Sequence, residues 1–294
     1  MKIGNIEVPG YAALAPMAGV TDLAFRTICA EMGAGMTVTE MVSSRALVYQ
    51  DKKSRGLLKR NAGVCGAQIF GNDPAIMAEA AVMAAEISGC DFIDINMGCP
   101  MPKIAQHGDG CGLMKEPELA GRIVKAVSDA VKIPVTIKCR LGWDKGNMNV
   151  LDFAPRMEDN GAKAIAVHGR TRSMLYTGVA DWDYIGKVKK VLSVPLIANG
   201  DIVSGEKAVE CLRRTGADYL MVGRATFGDP WLFTQINEAL EDKGEHIACL
   251  EARKHLAWYL RGVAFAAYYK EKISHISTVE EAMDIIEGIK KDLR

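Results

Sequence analysis

The stretch FIDINMGCP (92–100) sets Cys99 between Gly98 and Pro100, just past five residues that alternate like a strand. An unperturbed thiol titrates near ~8.5 and is mostly protonated at neutral pH, so Cys99 can serve as a general acid or as a nucleophile. A free cysteine is more commonly a small buried hydrophobe. That reading is adopted for Cys29, Cys65, Cys90, Cys111, Cys139, Cys211 and Cys249. Cys99 differs because Pro100 keeps the residue before it out of the helical region. Other chemistry-bearing side chains fall at similar places. Lys138 and Arg140 share one face of PVTIKCR, with Cys139 turned away, and His168 and Arg170 share one face of AIAVHGR. Lys138 beside an amide such as Gln68 and an imidazole such as His168 suits a flavin, whose reduced anionic ring a cation stabilises. The same groups suit a phosphorylated sugar, and at this point both stand.

These residues need elements to bring them to one level. Apolar or β-branched runs recur about every 30 residues, at 11–19, 35–41, 64–71, 92–98, 134–140, 164–170, 195–201 and 219–224. Helical stretches lie between them, among them 73–89, 116–131 and 204–216, with Gly89, Gly161 and Gly216 as left-handed C-caps. Asp73-Pro74 and Glu116-Pro117 read as helix starts. Pro155 lies inside an expected helix at 149–160, which should therefore start late or kink. Eight such units predict a (β/α)8 TIM barrel, the rival being a doubly wound sheet. After Trp231 the strand signal stops, and from about 246 onward the periodicity is helical. The expected division is a barrel over 1–241 and a small α-helical domain over 242–294.

Barrel enzymes work at the C-terminal ends of their strands. Those ends carry Pro16, Met17 and Ala18, then Glu40, Gln68, Asn96, Lys138 with Arg140, His168 with Arg170, Asn199 with Asp201, and Gly223 with Arg224. Any one of them is ordinary, since a lone lysine snorkels and a lone glutamine caps a strand. Their common level is not explained by packing. The glycines of IANGD and MVGRATFG close strands seven and eight, where barrels often hold a phosphate.

Composition narrows the classes further. The 294 residues are 49% hydrophobic and 24% charged, with a formal net charge of zero, so a sizeable core is expected and no bulk basicity points to nucleic acid. The N-terminus MKIGNIEVPG lacks the basic and apolar regions of a signal peptide, and no apolar run reaches bilayer length. Eight cysteines without a CxxC pair read as reduced thiols in a cytoplasmic protein. Cys99, His107 and Cys111 lack the close ligand pair of a metal site, so no metal is expected. Nothing indicates an obligate protein partner.

The motifs APMAGVTD (15–22), QIFG (68–71), DINMGCP (94–100), TIKCRLGW (136–143), AVHGRTR (166–172), ANGD (198–201) and GRATFGDPW (223–231) together resemble the flavin-dependent tRNA-dihydrouridine synthases, above all the bacterial B-type subgroup. RKHLAWYLRG (253–262) is similar to the start of that family's helical domain. The resemblance implies FMN in a barrel, NADPH as reductant, and reduction of the uridine C5–C6 bond in tRNA. It implies that Pro16, Met17 and Ala18 lie along the flavin, and that Gln68, Lys138 and His168 contact its ring and ribityl chain. Asn199, Gly200, Asp201, Gly223 and Arg224 then form the phosphate loops, Cys99 protonates C5, and Asn96 and Arg170 line the uracil site. Candidate tRNA contacts are Lys52, Lys53, Arg55, Lys59, Arg60, Arg253, Lys254, Lys270 and Lys272, each of which could equally be a solvated helix face. Two alternatives remain: a barrel flavoprotein reducing a small molecule, and a tRNA-binding protein with dispensable chemistry.

Overall fold

The computed structural model describes the backbone of residues 1–292 apart from 261, 263 and 264, and their side chains apart from 242–248, 250, 251, 254, 255 and 259. Eight strands form the barrel: β1 (Ala12–Leu14), β2 (Met36–Val38), β3 (Val64–Phe70), β4 (Phe92–Met97), β5 (Val135–Arg140), β6 (Ala164–His168), β7 (Leu196–Asn199) and β8 (Tyr219–Val222). All pair in parallel with their sequence neighbours, and β8 pairs with β1 through Leu220 opposite Ala12, so the sheet closes on itself. Closure leaves no edge and rules out the doubly wound alternative.

Helices follow the strands: α1 (Leu23–Glu31), α2 (Pro74–Ser88), α3 (Pro117–Ala130), α4 (Val150–Asp159), α5 (Trp182–Lys189) and α6 (Gly205–Thr215). Asp73 caps α2 by accepting from the Ala75 and Ile76 amides, with Pro74 in the first turn. Gly89 and Gly216 end α2 and α6 in the left-handed conformation. Gly161 instead follows the cap residue Asn160 of α4, at φ +113°. α4 starts at Val150 and runs through Pro155, so of the late start or kink expected there the late start is not seen. Its buried Val150, Phe153, Ala154 and Met157 anchor both sides of the proline, so packing outweighs the lost backbone bond.

The barrel's lower interior is a closed apolar plug. Ala13, Met36, Phe92, Ala164, Ala166, Ile197 and Met221 pack there with Ile3 and Val8 of the N-terminal hairpin. Gly66 on β3 makes room for Phe92, whose ring would lie 2.2 Å from a Cβ added at that glycine. With the bottom sealed, inward-facing polar groups can gather only toward the upper, C-terminal end.

The chain divides into two compact units, Met1–Asn237 and Glu238–Arg294. Helix α7 (Leu232–Tyr259) begins right after Asp229-Pro230-Trp231, earlier than the helical signal near 246 suggested. In the second unit α8 (Ala266–Ile273) and α9 (Val279–Asp292) supply a small core of Leu260, Tyr269 and Ile273, backed by Leu256, Ala266, Ile285 and Ile289. Among the described residues no helix is long and apolar enough to cross a membrane.

Candidate active site

A cavity of about 720 Å³ opens at the C-terminal ends of the strands. It is lined by Pro16, Met17, Ala18, Gln68, Asn96, Cys99, Lys138, His168, Asn199, Gly200, Asp201, Gly223 and Arg224. Strand alternation gathers them, because period 2 sends Gln68, Asn96, Lys138 and His168 inward while Cys139 is turned out and buried.

At the base of the cavity a polar chain fixes the amides. Thr136 Oγ1 donates to Asp94 Oδ1 at 2.6 Å and Gln68 Nε2 donates to Asp94 Oδ2 at 2.6 Å. Asn96 Nδ2 then donates to Gln68 Oε1 at 2.9 Å. Burial pushes the Asp94 carboxyl up, while the hydrogen bonds from Thr136 and Gln68 and the charge of Lys138 pull it back. Asp94 belongs to the same alternating face as Asn96, a signal in FIDINMG that the sequence reading passed over.

Asn96 also answers why a thiol stands in GCP. Its Oδ1 accepts from the Gly98 amide at 3.1 Å and the Cys99 amide at 2.9 Å, holding the turn that presents Cys99. Arg140 Nε donates to the Gly98 carbonyl at 3.0 Å, and the Cys111 amide donates to the Cys99 carbonyl at 3.1 Å. The loop is thus held from three sides. Burial raises the Cys99 thiol above its ordinary range, against opposing pulls from the Met101 amide, Arg140 and Lys138. A raised value keeps the thiol protonated, which favours the acid over the nucleophile. All eight cysteines are free, and burial pushes Cys111 up to about 12.

The Lys138 amine donates to Asn199 Oδ1 at 2.9 Å, and Asn199 Nδ2 donates to the Met221 carbonyl at 2.7 Å. Desolvation first, then the charge of Arg140, lowers Lys138 to about 8. Its side chain remains partly accessible only because it faces the cavity. Burial and four cations, Lys138, Arg140, Arg170 and Arg224, hold His168 well below its ordinary pKa. Arg170 Nη1 lies 3.3 Å from His168 Nε2, and since a guanidinium only donates, that nitrogen accepts and the ring is the neutral Nδ1–H form.

Arg170 itself is not among the cavity-lining residues. It is 2% exposed and its guanidinium is committed to Asp201 at 2.8 Å and to the Thr177 and Gly178 carbonyls. Asp201 in turn accepts from the Ala180 amide at 2.7 Å and sits at φ +56°, next to Gly200 at φ +119°. A Cβ on Gly200 would lie 2.7 Å from Ala180 and 2.9 Å from the His168 ring, so only glycine fits this turn. Arg140, one strand earlier, does open onto the cavity. So does Tyr176, which no periodicity or motif singles out; the Arg224 and Arg140 guanidinium carbons lie 4.6 and 5.6 Å from its ring centroid.

The donor set fits an FMN. The cavity volume lies in the range of cofactor sites. Pro16, Met17 and Ala18 give it an apolar wall, Gln68 and Lys138 a polar edge, and Gly200, Gly223 and Arg224 an anion end at the β7 and β8 loops. Among the described residues no cluster of three or more His, Cys, Asp or Glu could hold a metal.

Comparison with known proteins gives the family. The profile of the family described as Dihydrouridine synthase (Dus) matches residues 13–246. The chain belongs to the dihydrouridine synthase family. Its similarity to the tRNA-dihydrouridine synthase B of Vibrio cholerae is 41% identity over 316 residues, covering 98% of each chain. The enzyme of the same name from Pasteurella multocida is 40% identical, over 98% of this chain and 95% of its own. A probable tRNA-dihydrouridine synthase of Rickettsia conorii is 40% identical over 93% of this chain and 91% of its own. The likeness to the bacterial B-type subgroup read from the motifs therefore extends over nearly the whole of this family member. Among solved structures, histamine dehydrogenase from Rhizobium sp. 4-9 superposes with a TM-score of 0.65 at 16% identity, over 82% of this chain and 48% of that one. That likeness concerns the barrel fold alone.

Proposed function

We propose that the protein is an FMN-dependent tRNA-dihydrouridine synthase that uses NADPH as reductant, in which Cys99 is the acid. The observation that carries this reading is the loop-fixed Cys99 thiol facing the same cavity as Lys138 and the Gly200/Gly223 loops. The bound flavin would supply hydride to C6 of the uracil. Asn96, Arg140 and Tyr176 would hold the base with C5 toward Cys99, and the thiol would deliver its proton to C5 as negative charge develops there. Lys138 and Arg140 keep the site cationic, which stabilises the enolate-like charge at the C4 carbonyl. Arg170 acts here as a positioning residue: it holds His168 in one tautomer and pins Asp201, and Arg140 takes the place at the uracil that the motif likeness gave to Arg170.

A uridine inside folded RNA reaches such a cavity only by leaving its stack. The helical segment 242–294 is read as a second surface for tRNA. Lys52, Lys53, Arg55 and Lys59 are exposed on the barrel, and Lys272 is exposed on α8 beside a half-buried Lys270. Arg60 is instead tied to Asp91 and the Gly63 and Gly89 carbonyls, and Arg253 to the Ile276 carbonyl. The Lys254 side chain lies outside the described residues.

Anaerobic stopped flow tests the reading. Holo-protein reduced with NADPH should regain its oxidised flavin absorbance on mixing with unmodified tRNA. The rate should stay level through about pH 8.5, the ordinary thiol range, and fall above it as the raised Cys99 thiol finally ionises. Reoxidation by a small enone or a free pyrimidine, with no response to tRNA, would transfer the assignment to a small-molecule reductase.

A further inference from the structure

Three successive loops of the catalytic face each contribute one member to a cation–aromatic cluster outside the cavity lining. Lys115 ends the short helical turn Gly110–Lys115 after β4, Trp143 lies in the loop after β5, and Arg172 lies in the loop after β6. The Lys115 amine is 4.5 Å and the Arg172 guanidinium 4.7 Å from the Trp143 ring centroid. The loops are joined by backbone bonds, Arg172 N–H to the Gly142 carbonyl and Ser173 N–H to the Trp143 carbonyl. They are also joined to the catalytic loop, through Cys111 N–H to the Cys99 carbonyl and Arg140 Nη1 to the Thr171 carbonyl.

Two features of this cluster call for an anion. The cations share one ring and so stand within about a Debye length, ~10 Å at 0.1 M salt, yet neither forms an ion pair among the described residues. Asp144, next to Trp143 in the chain, accepts from Gly146 N–H and Asn147 Nδ2 through Oδ1. Moreover, Arg172 Nε is buried with no hydrogen-bond partner. Like charges held together without an ion pair among the described residues disfavour the free protein, as does a buried unpaired N–H, and a phosphate beside the cations would offset the repulsion. Trp143, covered by two cations, is a platform for them more than a stacking surface for a base.

The tie to the Cys99 loop points to RNA as the source of that phosphate. The whole chain is neutral, and Glu238–Arg294 holds nine Lys and Arg against eleven Asp and Glu, so the helical unit offers no bulk positive field. A cation pair without an ion-pair partner among the described residues, tied to the Cys99 loop, is where a backbone phosphate would be held. We propose that Lys115, Trp143 and Arg172 form a clamp for the backbone phosphates flanking the uridine that enters the cavity. This rests on the tRNA-dihydrouridine synthase reading, and it assigns the strand's register on the rim to residues outside the chemistry.

The test is binding of fluorescein-labelled, unmodified tRNA to the FMN-loaded protein across 50–200 mM KCl, for wild type, K115Q, R172K and the K115Q/R172Q double variant. The double variant should bind at least tenfold more weakly at 100 mM KCl. Its slope of log K against log salt should be shallower by about 1.5, as expected for two lost phosphate contacts. R172K, which keeps the charge and loses the fork, should fall between. Flavin content and NADPH-driven flavin reduction report folding and the NADPH site. If the double variant loses flavin, the exposed K115Q decides alone, with a slope change of about 0.8 expected. Unchanged affinity and slope beside a tRNA-binding wild type would overturn the clamp and leave the function standing. A raised KM for NADPH with unchanged tRNA binding would overturn it in favour of a dinucleotide phosphate. Failure of the wild type to bind tRNA would sink clamp and functional reading together.

Discussion

Cys99→Ala should reduce dihydrouridine formation by about 10²–10⁴-fold, the usual contribution of a positioned general acid, while NADPH still reduces the bound flavin. The split follows from geometry. The Cys99 loop is held by backbone bonds to Asn96, Arg140 and Cys111 that use its amide and carbonyl, not its sulfur. Truncating the thiol therefore leaves the loop, the amide chain from Asp94 to Asn96 and the cation at Lys138 in place. Single-turnover measurement with tRNA, paired with anaerobic flavin reduction, separates the two halves. Loss of both would mean that Cys99 holds the site together, and loss of neither would remove it from the chemistry. Cys99→Ser, whose hydroxyl is a far weaker acid, should behave like the alanine variant.

Lys138→Met is expected to weaken FMN binding by about 10–100-fold, the worth of a hydrogen bond to a charged group. It should also alter how binding depends on pH. Because burial has lowered Lys138 to about 8, the empty site holds its charge below that pH and loses it above. An electron-rich ring edge favours the charged amine and raises its pKa on binding. Affinity should therefore be level below pH 8 and fall by up to tenfold per pH unit above it, as binding must take up a proton. The Met variant has no proton to take up at this position and should show a level profile to about pH 9. Fluorescence titration of FMN into flavin-free protein checks both, and a wild-type profile level to pH 9 would show that Lys138 does not face the ring.

The barrel was legible in the sequence because its signals are local and repeated. β-branched runs, helix starts at Asp73-Pro74 and the glycine caps at Gly89 and Gly216 all recur at a βα period. Cavity-lining residues inside strands were legible for the same reason, since alternation settles the side on which Gln68, Asn96, Lys138 and His168 lie. Past the last paired residue that rule lapses. β6 ends at His168, so Arg170 already belongs to a loop that folds it down onto Asp201, and its strand-like spacing does not put it on the cavity wall. Tyr176 reaches the cavity from the same loop, with no periodic signal to mark it. The clamp of Lys115, Trp143 and Arg172 joins three separate loops, and only the closed barrel brings them together. The run of α4 through Pro155 shows the converse, a local signal overridden by tertiary packing.

Nucleoside mass spectrometry tests the central claim most directly. Bulk tRNA from cells lacking dihydrouridine would be incubated with the purified protein, FMN and NADPH, then digested to nucleosides. New dihydrouridine from the wild type, and none above background from Cys99→Ala, is the expected result. A protein that holds FMN and oxidises NADPH yet leaves every uridine unreduced would contradict it.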